Sequence, residues 1–154
     1  AEAIDLILRL AMMNCQMEWL RELVVYHYPP AADAVGNSRE RGRSLTTVIN
    51  QLLARSDLPS EVVRHSAQIR FHTWTWIAWD SYRTGHPTAM VDYLKQAWHH
   101  SPHPPVDTII AWVEGFAEFS RRWGNALEPH QLCHSPEWQE LMGWCLDSPV
   151  CLPH

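Results

Sequence analysis

The sequence predicts an all-α protein of six or seven helices packed as antiparallel hairpins, and three observations carry that prediction. Apolar residues recur at i, i+3, i+4 and i+7 through most of the 154 residues, the period that gives a helix one buried face. No segment sustains the two-residue alternation of a half-buried strand. Proline and glycine fall between the periodic stretches, and connections this short make successive helices run antiparallel.

Each element follows from its own residues. Ala3, Leu6, Ile7, Leu10 and Ala11, then Cys15, Trp19, Leu20, Leu23 and Val24, keep a helical period to about Tyr26, as one long helix or two collinear ones. Pro29 and Pro30 stop it, because proline lacks the amide donor and restricts the residue before it. Residues 29–42, with Asp33, Gly36, Asn37 and mixed charges at Arg39, Glu40 and Arg41, are expected to form a mobile loop. A shorter helix follows, with Leu45, Val48, Ile49, Leu52 and Leu53 on one face, and Asp57 to Ser60 ends it with Ser60 as the next N-cap. From Glu61 to Thr84 no glycine or proline interrupts the pattern, and Gly85 ends it as a C-cap glycine. Pro87 opens a partner helix that runs to His99 or His100.

Past Pro105 the set Val106, Ile109, Ile110, Val113, Phe116 and Ala117 forms one apolar stripe, and Trp112, Phe119 and Trp123 form a second. A helix apolar on two sides is expected to lie between others. Gly124 and Asn125 end it, with Arg121 and Arg122 as a solvated helix end, and Ser135-Pro136-Glu137 is a strong start signal for a last helix carrying Trp138, Leu141, Met142, Trp144 and Cys145. The domain reading is a single helical domain, 1–154, with N-terminal helices and the loop in 1–58 and a helical-hairpin region at 60–147.

The densest signal is the hairpin around Gly85. Trp74, Ile77, Ala78 and Ser81 occupy the spacing at which a tetratricopeptide repeat places its W-x2-L-G-x2-Y, and Met90, Leu94, Ala97 and Pro102 match the later positions. Trp74, Ile77, Ala78, Gly85, Met90, Leu94, Ala97 and Pro102 are therefore the predicted structural set, with a tetratricopeptide-like fold. These residues speak to packing and carry no chemistry.

Composition narrows the function. With 17 acids against 12 bases the net charge is -5, and Lys95 is the only lysine, so nucleic acid is not the expected partner. No apolar run approaches the ~20 residues of a membrane span, which leads us to expect a cytoplasmic protein. The chain opens at Ala1 without methionine, so we expect a piece of a longer one. Cys15, Cys133, Cys145 and Cys151 lack zinc-ribbon or C-x-x-C spacing and read as reduced thiols. His130, Cys133 and His134 offer ligand atoms without the second spaced pair of a structural site, and His99, His100 and His103 surround Pro102 at a helix end, so no metal or other cofactor is expected. Of the nine tryptophans, most at helical spacing are expected in the core with one or two exposed. No phosphate loop, H-E-x-x-H or G-x-S-x-G is present, and no catalytic residue is assigned.

Three segments carry a family resemblance: AWDSYRTG (Ala78 to Gly85), AMVDYLKQAWHHSPHPPVDTIIAWVEGFAEFS (Ala89 to Ser120) and SPEWQELMGW (Ser135 to Trp144). They resemble the C-terminal helical tail of cyanobacterial family-2 glycosyltransferases. The resemblance spans Ser60 to Asp147, takes in Ala1 to Leu58 only by context, and departs from the catalytic part entirely, since no D-x-D motif is present. It implies a non-catalytic accessory or interaction domain whose partner is the adjoining transferase domain or another protein. The alternative is a freestanding tetratricopeptide-like adaptor that binds a protein segment in a groove.

Overall fold

The computed structural model describes residues 2–13, 38–124 and 126–148, and the described residues are helices and their connections, with no strand. There are eight helices among them rather than six or seven: α1 Glu2–Met12, α2 Ser38–Leu53, α3 Ser60–Arg64, α4 Ser66–Arg83, α5 Pro87–Trp98, α6 Pro105–Arg122, α7 Pro129–His134 and α8 Pro136–Asp147. The chain divides into two compact units, Ala1–Leu58 and Pro59–His154.

In the first unit, α1 is amphipathic and carries an exposed ion pair between Asp5 and Arg9 one turn apart. The expected continuation of this helix toward Tyr26 lies outside the described residues. Of the expected loop 29–42, residues 29–37 also lie outside them, while 38–42 are helical and open α2. The correction has a local cause: Arg39, Glu40 and Arg41 are good helix formers, and Glu40 sits in the first turn, where an acid favours the positive end. Leu45 and Ile49, one turn apart, are the buried apolar residues of α2.

The second unit holds the larger core. α4 and α5 are joined by Thr84, Gly85 and His86 and pack along their length, so they run antiparallel. The turn has a specific hydrogen-bond pattern: the His86 N–H donates to Ser81 O at 2.9 Å and the Gly85 N–H to Tyr82 O at 3.0 Å, with Gly85 at φ +78°. These bonds satisfy carbonyls that the end of α4 would otherwise leave unpaired, and they require the left-handed backbone that glycine adopts without penalty. Nothing lies within 4 Å of where a Gly85 side chain would begin, so any substitution acts through the backbone alone. Gly85→Val is expected to cost about 1–3 kcal/mol, with Gly85→Asn much milder, in urea melts followed by circular dichroism. Equal midpoints for the two variants would count against a backbone origin.

The start of the hairpin differs from expectation. His65, at φ -94° and ψ 8°, separates α3 from α4, and Ser60 lies inside α3 behind Pro59, which is the N-cap and makes no side-chain cap. The other added helix, α7, is six residues long with Pro129 in its first turn. Ser135 caps α8 as expected, its hydroxyl accepting from Trp138 N–H at 3.3 Å, with Pro136 in the first turn.

α6 packs against α4, and at Gly115 an added side chain would meet Thr75 Cγ2 at 3.4 Å. The Thr75 hydroxyl is satisfied within its own helix by Phe71 O at 2.8 Å, so this buried polar residue costs the crossing nothing. α8 packs on α5 and on α7. Trp138, Leu141 and Cys145 form its buried side, with Leu132 buried from α7.

Candidate functional site

The predicted hairpin residues fall into two groups. Trp74, Ile77, Ala78, Met90, Leu94 and Ala97 are all buried, the first three on α4 and the rest on α5. Gly85 forms the turn, while Pro102 is exposed and lies beyond α5 in the connection to α6.

One turn before Gly85, the last two turns of α4 build a charged aromatic site. Trp79 and Arg83 are four apart and share a helix face. The Arg83 guanidinium carbon stands 5.0 Å from the Trp79 ring centre and 4.8 Å from that of Trp123, and those two centres are 6.0 Å apart, so the cation caps a pair of adjacent indoles. Arg83 also donates to Asp80 Oδ1 from Nε at 2.9 Å and from Nη2 at 2.5 Å, and the Asp80 side chain is only 3% exposed. Trp79 Nε1–H donates to Ser120 Oγ at 2.9 Å, tying α4 to α6 inside the core. A cleft of about 390 Å³ opens beside this assembly, lined by Tyr82, Arg83, Ser120, Leu127, Glu128 and Gln131. Burial, and to a lesser degree the neighbouring Cys133, pushes the Tyr82 hydroxyl above its ordinary pKa. The arrangement can hold a polar group, but its cation is already matched by Asp80 and no acid–base pair converges there.

A histidine cluster forms at the opposite end of the hairpin. Phe71 meets the rings of His72 and His103 edge-on at 5.5 and 6.0 Å, and Trp74 meets His100 at 6.4 Å. Burial, then the charge of His103, lowers the His72 pKa, while burial, Arg70 and His99 lower that of His100. A histidine that resists protonation when folded makes the unfolded state bind more protons below the ordinary value of 6.5. Its stabilisation is therefore complete above that pH and is lost as the pH falls through the lowered folded values. Thermal melts between pH 8 and pH 5 are expected to show a declining midpoint below about 6.5, flattened in His72→Gln/His100→Gln. An unchanged slope in the double variant would remove these two residues as the cause.

The sequence-level ligand candidates are arranged differently. On α7 the rings of His130 and His134 stack at 3.9 Å, and His134 Nδ1–H donates to His130 O at 2.8 Å. Among the described residues no three His, Cys, Asp or Glu side chains gather where a metal ion could sit. Cys133 and Cys145 are free thiols, and burial pushes Cys145 up to about 11 despite the nearby Lys95. Cys15 and Cys151 lie outside the described residues.

The outer side of α6 corrects one expectation. Thr108, Trp112, Phe116 and Ser120 are its buried residues, each four apart. Val106 is 68% exposed, Ile110 48% and Trp123 56%. Neither expected stripe is buried whole: the inside takes Trp112 from one and Phe116 from the other, at the four-residue spacing that also buries Thr108 and Ser120. Arg121 and Arg122 are exposed and both pair with Glu118.

The capping of Trp79 and Trp123 by Arg83 is the feature sequence reasoning missed. Its only local signal is the four-residue spacing of Trp79 and Arg83, since Trp123 arrives from another helix. Comparison with known proteins found no matching protein family, no similar curated protein and no similar solved structure. Among the described residues no helix is long and apolar enough to cross a membrane.

Proposed function

We propose that this chain is a non-catalytic helical accessory domain of a family-2 glycosyltransferase, tetratricopeptide-like in packing and cytoplasmic, which engages the adjoining transferase domain or another protein rather than nucleic acid. The observation that supports this reading is the outer side of α6, where Val106 and Ile110 face solvent although the opposite side of the same helix is packed. Single exposed apolar residues are ordinary on any surface, but a row of them along one helix is the feature that marks a protein contact. The acidic balance of the chain supports a protein partner over a phosphate backbone.

The test joins the chain to a transferase domain encoded upstream in the same reading frame. Relative to that domain alone, the joined protein is expected to melt higher or bind acceptor more tightly, while the isolated chain turns over no nucleotide-sugar with manganese present. Unchanged melting and acceptor binding would end the accessory role, and saturable micromolar donor binding by the chain alone would make it an enzyme.

A further inference from the structure

The exposed row on α6 has a spacing of its own. Val106, Ile110, Val113 and Ala117 follow one another at four, three and four residues, the interval of a coiled-coil seam. Val106, Ile110 and Ala117 are exposed and Val113 half-buried, so the seam faces outward along about 16 Å of helix. At its far end Ala117 joins a shallow hollow of about 510 Å³ lined by Arg121, Gly124, Ala126 and Leu127. The two sides of the seam are not alike. One side turns toward the core through Ile109 and Phe116, and the other carries Asp107, Glu114 and Arg121 at seven-residue intervals, the two acids exposed and without an ion pair to any described residue and Arg121 paired with Glu118.

We infer that this seam is the docking face for an amphipathic helix of another protein whose flanking residues are lysine or arginine. The inference rests on reading the chain as a protein-interaction module and adds the class of partner. Charge decides between a foreign helix and a second copy. In the antiparallel register that stacks every apolar position, Val106 lies over Ala117 of the second copy and Ile110 over Val113. Asp107 then lies beside Glu114 of the other helix, twice over, and like charges at that distance oppose the pairing. A parallel pair sets Glu114 against Ile109 and Asp107 against Pro102 of the second copy, and gives neither acid a cation. A basic helix satisfies the apolar row and both carboxylates together.

The experiment titrates the whole chain with dye-labelled helical peptides of about 18 residues, read by fluorescence polarisation. One probe carries leucine along its seam with lysine flanks, a second has glutamate in place of lysine, and a third keeps the lysines but has serine along the seam. The lysine–leucine probe is expected to bind saturably and about tenfold more tightly than either of the others. Asp107→Lys/Glu114→Lys is expected to reverse the preference between lysine and glutamate flanks. Ile110→Asp should abolish binding while leaving the circular-dichroism spectrum of a folded helical protein, with the melting midpoint lowered only by the small cost of an acid one turn from Asp107 and Glu114, because Ile110 is already half in solvent. Equal affinity for both charge types, binding retained by the serine probe, or binding that survives Ile110→Asp would each overturn the inference. So would a wild-type dimer in the ultracentrifuge that Ile110→Asp converts to monomer, which would make the occupant a second copy. The peptide assay contains no transferase, so a transferase that ignores this chain would defeat the accessory reading and leave the seam result standing.

Discussion

Trp79→Ala is expected to lower the stability of the second unit by about 3–5 kcal/mol, the range for removing a buried aromatic side chain. Trp79 is 1% exposed and touches three other rings: Trp76 at 6.3 Å, Phe119 at 5.6 Å and Trp123 at 6.0 Å. Truncation leaves a cavity between α4 and α6, removes one of the two rings beneath Arg83 and leaves the Ser120 hydroxyl without the indole donor. Trp79→Phe separates these effects. It keeps most of the apolar volume and loses the hydrogen bond, so it should cost about 1–3 kcal/mol. Urea unfolding followed by the helical circular-dichroism signal measures both. A Trp79→Ala midpoint within error of the wild type would show that α4 and α6 do not pack as described.

Arg83→Met comes next, at about 3–5 kcal/mol, and for an electrostatic reason. The Asp80 carboxylate is almost fully buried, and taking away its guanidinium partner leaves an anion where water cannot solvate it. Methionine keeps the length and polarisability to lie over Trp79 and Trp123, so the loss reports the charge more than the packing. Adding Asp80→Asn to Arg83→Met removes the buried charge and should return a substantial part of the loss. If the single variant costs less than about 1 kcal/mol, the pair behaves as a solvent-screened surface bridge.

The parts of the fold that were legible in the sequence are those governed by local rules. Gly85 and Pro87 mark the hairpin because a left-handed cap and a fixed φ are properties of single residues, and Ser135-Pro136-Glu137 starts α8 for the same reason. The break at His65 was not legible, since nothing about histidine forbids a continuous helix there. Residues 38–42 were misread as loop because glycine, asparagine and mixed charge look alike whether they precede a helix or belong to it. The division of α6 into a buried and an exposed side was ambiguous because both sides are apolar, and only the position of α4 decides which goes inside. The candidate site is the least legible: the indole pair beneath Arg83 needs Trp123, forty residues on in sequence, and the seam on α6 is visible only once its other side is known to be occupied.

The turn at Gly85 also bears on how the protein folds. Its three-residue connection makes the α4–α5 contacts short in sequence separation, so the loop-closure entropy of bringing these helices together is small. Low contact order in the largest helix pair favours an early, local nucleus, with α6 and α8 adding later through longer-range contacts. Stopped-flow measurements on core truncations should then find Leu94→Ala slowing refolding, while Leu141→Ala in α8 mainly speeds unfolding. A glycine whose equilibrium role is to end one helix would thereby also set the order in which the helices assemble.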